Sequence, residues 1–384
     1  MLEAPDEVLT QLRAIIAPSR MPTGGRLPSE RRLAEQLKAT RFAVRGALQQ
    51  LEKEGLIRAA SKRIRVVSEQ SSNTAGVLSN TVALVSLIQP SQWNSNPTSA
   101  TSMQWFYLGA AEALQAANMN LLTLHPQHLS PKQMKRFASE RLVGCAMLSD
   151  ALNEKSGLEL TQVLLDQGVP VAAYGDALRP AQLGAVRFDR VNSDHRKGSY
   201  EITKYLISRG CKKIQRTDEG EPESMNHWWR TQRALGYEQA CQEGGITPLP
   251  VIWIPQLRGY DGSAASFSTW ARLNAGFLYE PVIKQKCDAL LAISDGQIPG
   301  LAGGCRHLGK DPEREIVIAG YDNYWPVMHQ LTHEPTRPVA TVDKCQKEIG
   351  RELIELLLAR AARKLPTEPQ VRMITPKLLV TPVS

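Results

Sequence analysis

The stretch GGRLPSERRLAEQLKATRFAVRGALQQLEKEGLI, residues 24–57, sets two short helical patterns around a tight turn. Pro28 and Ser29 indicate a helix start, because proline fixes the approach of the chain and the serine hydroxyl can accept an unpaired backbone N–H as an N-cap. The apolar stripe of this first helix consists of Leu33, Ala34 and Leu37. The stretch therefore begins with a short helix that buries one face.

The second helical pattern carries basic side chains at its amino end. Thr40 can cap this helix, and Gly55 ends it. Its apolar positions recur at helical spacing: Val44, Ala47, Leu48 and Leu51. Arg41 and Arg45 lie one turn apart and off the apolar stripe, where the recognition helix of a helix-turn-helix contacts base edges and phosphates. The pattern indicates DNA binding.

Residues 56–67, LIRAASKRIRVV, alternate toward two strands with Lys62 and Arg63 at their tip. Such a hairpin is typical of a basic wing. An ordinary helical hairpin with a solvated basic face is the alternative interpretation. The cap, the turn, the arginine positions and the wing all favour DNA recognition instead.

This stretch resembles the winged helix-turn-helix of GntR-type transcription regulators, whose motifs LPSER, LA, L, VR, AL, L and EGL occur here in the same order. The wing lacks the glycine tip of that family, and Phe42 stands where the family usually has a small polar residue. The resemblance implies six DNA-contacting positions, the last two being alternatives for insertion into the minor groove: Arg31, Thr40, Arg41, Arg45, Lys62 and Arg63.

The basic charge of the chain is concentrated in this first segment. Residues 1–67 hold thirteen Lys and Arg against seven Asp and Glu, so they carry +6 of the net charge of +8. A basic face supplies the nonspecific, salt-dependent part of DNA binding, although it would also attract an anionic membrane. The charge distribution agrees with the DNA-binding interpretation.

Length and composition restrict the class of protein. The 384 residues, 42% of them hydrophobic, can bury a large core and indicate two or three domains. The beginning, MLEAPDEVLTQLRAII, lacks the continuous apolar run of a secretory signal, and no segment approaches the roughly 18 apolar residues of a membrane span. We therefore expect a cytoplasmic protein. Six scattered cysteines without metal-ligand spacing favour reduced, mostly buried thiols.

A polar stretch of small residues, SEQSSNTAGVLSN, follows the wing and has the composition of a flexible linker. It predicts three parts: a winged helix-turn-helix DNA-binding domain over residues 1–68, a linker over 69–80 and a core over 81–384. No repeat of 20 to 50 residues is visible in the core.

The core alternates short apolar runs with helical patterns. The runs are TVALVSL, NLLTL, LVGCAML, VPVAAY, GAVRF, CDALLAI and EIVIAGY. Apolar strands separated by amphipathic helices predict an α/β fold with doubly wound parallel sheets, and about 300 residues suggest two lobes. We place lobe 1 at about 81–190 and 323–360, and lobe 2 at about 191–322 and 361–384. Ligands of such folds bind beyond the carboxyl ends of strands, often between lobes.

Several polar and aromatic residues fall at that edge. Asp189 follows GAVRF, Asp295 follows LLAIS, and Asp322 follows IAGY, while Arg233 opens the helical run RALGYEQA. Such groups could hold the hydroxyls of a small polar ligand, or the carboxylates could cap helices. Aromatic side chains that could stack on a sugar ring lie in nearby segments, foremost Trp93: Trp93, Trp105, Phe106, Tyr107, Trp228, Trp229, Tyr260, Trp270 and Trp325.

Residues 80–384 resemble the effector-binding core of LacI and GalR-type repressors, which is itself similar to periplasmic sugar-binding proteins. The motifs include YLGAAEALQAANMNLL, LLDQGVPVAAYG, CDALLAISDGQIPGLAGGCRHLG and EIVIAGYDN. The resemblance implies that Arg233 and Asp295 contact the ligand, that Asp189 lies at an inter-lobe crossing, and that Asp322 supports the hinge. A GntR-type head on such a core resembles the arabinose-repressor type of chimera.

Two stretches depart from that family. The strand after GCKKI should continue as an apolar run but reads QRTDEGEPESMNHWWR, and SQWNSNPTSATSMQWFY after the first strand is unusual in content. We expect the second stretch to influence which ligand binds.

The sequence does not predict an enzyme or a cofactor. A GxSxG elbow, a P-loop and a metal motif are absent, and the motif order argues against the aminotransferase-like partner of some GntR heads. We expect a transcription repressor that binds a palindromic operator in double-stranded DNA as a homodimer and responds to a small ligand, a sugar or sugar derivative, in the cleft. The alternative is a DNA-binding protein whose core serves dimerisation without an effector.

Overall fold

The computed structural model describes residues 5–16, 21, 24–61, 64–68, 78–88, 97–140, 142–175, 188–220, 227–255 and 260–382. The chain forms two compact units, one of residues 1–82 with 139–143 and one of residues 83–138 with 144–384. The first unit contains the head, and the second contains almost all of the core. In the described residues, no helix is long and apolar enough to cross a membrane.

The described part of the head consists of α1 (Pro5–Ile15), α2 (Glu30–Gln36), α3 (Arg41–Lys53), β1 (Ile57–Ser61) and β2 (Ile64–Val67). Both predicted N-caps are confirmed. The Ser29 hydroxyl accepts the backbone N–H of Arg32 at 3.4 Å, and the Thr40 hydroxyl accepts that of Ala43 at 3.1 Å. Lys38, with a φ of 48°, makes the turn between α2 and α3.

The three helices and the hairpin of the head enclose one small apolar core. The buried residues of this core include Val8, Leu12, Leu33, Ala34, Val44, Ala47, Leu48, Leu51, Ile57 and Val67. The predicted stripe of α3 is therefore confirmed. Strands β1 and β2 pair antiparallel, and Arg26 bridges to Val66, so the hairpin is fixed to the helices.

The first sheet of the core has the strand order β13-β7-β6-β5-β3-β4. Its strands are β3 (Thr81–Val85), β4 (Asn120–Leu124), β5 (Gly144–Leu148), β6 (Val171–Tyr174), β7 (Asp189–Ser193) and β13 (Val371–Ile374). The helices beside it are α4 (Pro97–Ala116), α5 (Pro131–Ser139), α6 (Ser149–Leu152), α7 (Lys155–Asp166) and α12 (Gln346–Ala361). Helix α12 packs on α4 and on β5, β6 and β7.

The second sheet has the order β14-β12-β11-β10-β8-β9. Its strands are β8 (Ile214–Glu219), β9 (Ile252–Ile254), β10 (Ala289–Ala292), β11 (Val317–Ala319), β12 (Ala340–Asp343) and β14 (Lys377–Val380). Its helices are α8 (His195–Ser208), α9 (Trp228–Glu243), α10 (Ala264–Leu278) and α11 (Ile298–His307). Among the described strand pairs of this second sheet, only β12 and β14 are antiparallel.

The predicted α/β fold with two doubly wound, largely parallel sheets is confirmed. The chain passes between the sheets three times: after β7, after β12 and after β13. These crossings differ from the predicted lobes, because β12 lies in the second sheet and β13 lies in the first. The apolar pattern could not place the crossings, since the strands on either side of them look alike in sequence.

Two strands differ from the sequence pattern. The run GAVRF was predicted as a strand that ends before Asp189, yet the described strand β7 begins at that residue. The polar run QRTDE, which appeared to interrupt a strand, instead belongs to β8, and five of the six residues of β8 are buried.

Candidate functional site

Helix α3 of the head presents exposed basic side chains at its amino end. Arg41 and Arg45 are exposed on the side of α3 away from the buried stripe, and Arg31 is exposed on α2. Phe42 lies in the same first turn with 87% of its surface exposed. This face has the composition that a recognition helix needs: cations for phosphates and base edges, with an apolar side chain beside them.

Arg45 belongs to an ion-pair network that the sequence did not reveal. Its Nε and Nη2 donate to Glu30 Oε2 at 3.2 and 3.0 Å, and Arg65 Nη1 donates to Glu30 Oε1 at 3.0 Å. Arg65 Nε also donates to Glu52 Oε1 at 2.8 Å. Burial opposes the charge of Glu30, but the two guanidinium groups outweigh it and lower the pKa of this carboxyl. The network connects α2, α3 and β2.

The remaining predicted DNA contacts divide into two groups. Thr40 is exposed and uses its hydroxyl oxygen as the cap of α3. Lys62 and Arg63 at the tip of the wing lie outside the described residues. Their insertion into the minor groove stays a prediction.

In the core, Arg233 of α9 lies buried beyond the carboxyl ends of β10 and β11, with 4% of its surface exposed. Its Nη2 donates to Asp322 Oδ1 at 3.2 Å, and its Nη1 donates to the carbonyl oxygen of Ile293. Its guanidinium carbon lies 3.5 Å from the ring centre of Tyr321 and 4.6 Å from that of Trp229. The structure thus brings the predicted arginine and the carboxylate of Asp322 together.

Asp322 connects this cluster to the second crossing between the sheets. Lys344, in the segment after β12, donates to Asp322 Oδ1 at 2.9 Å. Burial alone would raise the pKa of this carboxyl, but Lys344 and Arg233 lower it overall. The backbone of Asp322 has a φ of 98°, a left-handed value that non-glycine residues rarely adopt. The hinge-supporting role of Asp322 stays a prediction.

Asp295 follows β10, as the sequence indicated, but it is fully buried. Its Oδ1 accepts the Thr341 hydroxyl at 2.7 Å, and its Oδ2 accepts the backbone N–H groups of Tyr324 and Trp325 at 2.9 and 3.2 Å. Burial, with Asp322 nearby, raises its pKa to about 7. In this conformation the carboxyl holds the loop after β11, and its direct contact with a ligand stays a prediction.

The placement of Asp189 was predicted wrongly. This residue begins β7 instead of following a strand, so its carboxylate lies at the amino end of the strand. Arg360 of α12 donates to both of its oxygens at 2.7 Å, and the Gln370 backbone N–H donates to its Oδ1 at 2.7 Å. Asp189 is 1% exposed. Its carboxylate therefore anchors α12 and the approach to β13, and it does not face the ligand edge.

The described aromatic rings around Arg233 are those of Tyr321 and of Trp229, one of the predicted candidates, whereas Trp93 lies outside the described residues and its role stays a prediction. Trp228 and Trp229 both lie about 6 Å from the buried ring of His195, with ring centres separated by 6.3 and 6.1 Å. Burial, Arg233 and Lys344 lower the pKa of His195 well below its usual value, so this ring is neutral. The site therefore combines an arginine with stacking surfaces.

A pocket of about 480 Å³ lies next to this cluster, which it meets at Asp322. Trp105 of α4, the amino end of α12, residues 322–324 and residues 326–327 line it, whereas Arg233 and Asp295 are not among its described lining residues. All six cysteines are buried, as predicted, and burial raises the pKa of Cys145 to about 12. In the part of the chain that the structure describes, no His, Cys, Asp and Glu cluster could hold a metal ion.

Two protein-family models match this chain. The model for bacterial regulatory proteins of the gntR family matches residues 5–66, and the periplasmic binding protein-like domain matches residues 203–380. The chain joins a GntR-type head to a periplasmic-binding-protein-like core. The head and the core each match a separate family model.

Related sequences match portions of this GntR-type chimera. The HTH-type transcriptional repressor PurR of Vibrio vulnificus (strain CMCP6) is 25% identical over 245 residues, which cover 62% of each chain. The chain thus spans about three fifths of that relative. The HTH-type transcriptional regulator Mce2R of Mycobacterium tuberculosis (strain CDC 1551 / Oshkosh) is 49% identical over 53 residues, 14% of this chain and 22% of that protein.

Solved structures share the fold of the GntR-type chimera or of its core. The transcriptional regulator CelR in complex with cellobiose superposes with a TM-score of 0.58 at 19% identity, covering 98% of each chain. A LacI family transcriptional regulator from Enterococcus faecium with bound ribose has a TM-score of 0.55 at 17% identity and covers 78% of this chain and 96% of its own. The first likeness covers nearly the whole chain, and the second covers about four fifths of it.

Proposed function

We propose that this protein is a DNA-binding transcription repressor whose affinity for its operator changes when a small ligand binds in the core. The exposed arginine face of α3 carries the proposal, because a helix with Arg41 and Arg45 on its free side in a GntR-type head is suited to the major groove. The proposed DNA contacts are Arg31, Thr40, Arg41, Arg45, Lys62 and Arg63.

The proposed ligand binds beside Arg233, where the guanidinium and the indole of Trp229 lie at one edge of the second sheet. A sugar or sugar derivative suits this site, because indole and phenol rings stack on sugar faces and buried polar groups bond to hydroxyls. Solved structures of the same fold hold cellobiose and ribose. In this proposal, ligand binding in the core (residues 81–384) acts on the head through the linker (residues 69–80). No enzymatic activity is proposed.

We further propose that the repressor is a homodimer that binds a palindromic operator in the cytoplasm. Exposed apolar side chains of the core support a contact with a second copy: Trp105 (52%), Leu108 (41%) and Val327 (63%). Aromatic side chains with such exposure are typical of interfaces. A two-fold dimer presents two heads to two half-sites one helical turn apart, or multiples of a turn.

Selection of duplexes from a random library by the full-length chain tests this function. We expect an enriched palindromic site, and we expect Arg45→Ala to lower affinity for it at least ten-fold in gel-shift titrations. Arg45 is 61% exposed in its side chain, so loss of its ion pair with Glu30 should change stability by no more than about 1 kcal/mol.

Arg209→Ala, which removes an exposed arginine of the core, is the matched control and should bind like the wild type. Failure to enrich any duplex would contradict the DNA-binding function. If the site is enriched but no sugar or sugar derivative changes the affinity of the protein for it, the alternative of a core that serves dimerisation alone is correct.

A further inference from the structure

Strand β8, with the sequence IQRTDE, is polar although it lies inside the second sheet between β10 and β9. Arg216 is 8% exposed and Asp218 is 1% exposed. The neighbouring strand β10 shows what a structural strand contains here, since its sequence is ALLA. Burying an arginine costs free energy unless a partner compensates its charge. An arginine inside this sheet should therefore have such a partner.

Two polar residues of β8 contact helix α9. Arg216 and Asp218 share one face of the strand, because side chains alternate along a strand. The guanidinium carbon of Arg216 lies 5.5 Å from the ring centre of Tyr237 on α9, and Asp218 forms an ion pair with Arg230 at the start of the same helix. Arg233 lies one turn before Tyr237 on that helix. Three arginines thus converge between β8 and α9.

Indole rings lie beside two of these arginines. The guanidinium carbon of Arg230 lies 4.8 Å from the ring centre of Trp229 and 5.6 Å from that of Trp253. Arg233 approaches the same Trp229 ring to 4.6 Å. A planar group bound here would have cations along its edge and indoles beside it.

The charges of the described residues do not balance at this place. Arg230 is paired with Asp218, while Arg233 and Lys344 share Asp322. Among the described residues, the guanidinium group of Arg216 has a ring contact with Tyr237 but no hydrogen bond and no carboxylate ion pair. The Nε of Arg230 is buried without an acceptor there.

Among the described carboxylates near the arginines, none forms an ion pair with Arg216, and Glu221 and Glu223 lie outside the described residues. Asp295 is committed to Thr341 and to the loop after β11. Glu238 on α9 is exposed, and the alternation of β8 places Glu219 on the opposite face from Arg216. Burial lowers the pKa of Arg216, and burial together with Arg233 and Arg216 lowers the pKa of Arg230 to about 10. Tyr237 and Glu238 raise the pKa of Arg216 and Arg233 lowers it, so burial is the main reason why the pKa of Arg216 is low.

We propose that Arg216 and Arg230 form an anion subsite, so that the ligand of the core carries a carboxylate or a phosphate group. Guanidinium groups bind both anions through paired N–H donors. A sugar acid or a sugar phosphate combines such a group with hydroxyls for the cluster around Arg233. This inference rests on the proposed ligand response and differs from the neutral sugars held by the solved structures of this fold.

The test compares thermal unfolding of the full-length wild type with Arg216→Met, which keeps the length of the side chain and removes its charge. In sodium chloride, we expect the variant to unfold at the same or a higher temperature, since it lacks an uncompensated buried charge. When sodium phosphate or sodium acetate replaces chloride at equal ionic strength, the midpoint of the wild type should rise by about 3 °C and that of the variant should not.

Arg209→Met is the matched control, because Arg209 lies 5.9 Å from the Tyr205 ring centre in a similar contact but is exposed. It should respond to the anions like the wild type. A larger response to phosphate assigns a phosphoryl group to the ligand, and a larger response to acetate assigns a carboxylate.

Equal anion responses of the wild type and Arg216→Met would overturn the proposal. So would a variant that unfolds below both the wild type and Arg209→Met in chloride, because Arg216 would then be a structural cation. Neither result depends on DNA. Gel shifts with the selected duplex therefore test the proposed function separately.

Discussion

At the scale of single residues, Phe42 gives the recognition helix an unusual character. A phenylalanine with 87% of its surface in water, beside Arg41 in the first turn of α3, contributes nothing to the core of the head. In the major groove, such a side chain can contact the 5-methyl group of thymine. Phe42 is therefore the residue at which the base preference of this head should differ most from heads with a small polar side chain.

We expect Phe42→Ser to weaken discrimination for a thymine in the selected duplex by about 1 kcal/mol, the size of one buried methyl group, while leaving nonspecific DNA binding intact. Gel-shift titrations should use duplexes in which single thymines are replaced by uracil, which lacks only the methyl group. At one position per half-site, this replacement should weaken the wild type and have no effect on the variant. Equal affinity of the wild type for every uracil duplex would contradict the contact.

Asp295 should make stability depend on pH. The pKa of this carboxyl is about 7 in the folded protein against a usual 3.8, so the folded state retains a proton that the unfolded state loses. Stability is therefore greatest below the unfolded pKa and falls as pH rises through about 7, by roughly 2–4 kcal/mol in total.

Asp295→Asn should remove this decline, because the amide keeps an acceptor for the N–H groups of Tyr324 and Trp325. Urea unfolding of the wild type and the variant from pH 5 to pH 8 measures it. The difference between the two proteins excludes the opposite contribution of His195. A difference that does not change with pH would show that the folded-state pKa is close to the ordinary one.

At the scale of secondary-structure elements, α4 and α12 approach so closely that their contact requires glycine. A Cβ on Gly109 would lie 1.9 Å from the carbonyl oxygen of Lys347, and one on Gly350 would lie 2.1 Å from that of Phe106. Real Cβ atoms do not come this near to backbone atoms. The two helices would therefore have to separate to accept even one methyl group.

Gly109→Ala should lower the free energy of unfolding by about 1–3 kcal/mol, the usual cost of overpacking. Gly276→Ala in α10 is the matched control, because nothing lies within 4 Å of the position of its added Cβ. The control should raise stability by up to about 1 kcal/mol, since alanine favours a helix over glycine. The urea midpoints of both variants measure these changes in stability. A similar loss of stability in both variants would show that replacing a helical glycine, and not the contact between α4 and α12, causes it.

The sequence predicted the elements of the head better than those of the core. Ser29 and Thr40 cap helices by accepting N–H groups only three residues away, so the local sequence is enough to predict them. Both were placed correctly. Asp189 and β8 were not placed correctly, because the partners that bury them come from distant parts of the chain. Arg360 is 171 positions from Asp189, and no pattern within β7 indicates that pairing.

In the core site, too, the sequence did not reveal partners that come from distant parts of the chain. The sequence and the family resemblance pointed to Arg233, but they did not show that Asp322 and Lys344 would share its charge. They also treated the polar content of β8 as an irregularity. Its meaning depends on the arginines and indoles of α9, which face the strand only after the sheet has formed.

At the scale of the whole molecule, the two units should separate DNA binding from ligand binding. Arg233→Ala should reduce the change in operator affinity caused by the ligand at least five-fold, while affinity for DNA without ligand stays within two-fold of the wild type. Gel shifts with and without ligand, together with calorimetry of ligand binding, measure both quantities. Arg45→Ala should show the reverse pattern. Loss of DNA binding in Arg233→Ala would mean that the cluster maintains the DNA-binding conformation itself.

The positions of β13 and β14 have a consequence for how the protein is made. Strand β13 forms one edge of the first sheet, and β14 forms one edge of the second. Neither sheet can be complete before residues 371–380 have been synthesised. The described elements of the head all lie before residue 68. At typical translation rates, the ribosome needs roughly 15–60 s to synthesise the residues between them. The head can thus fold, and search DNA, while the rest of its own chain is still being translated.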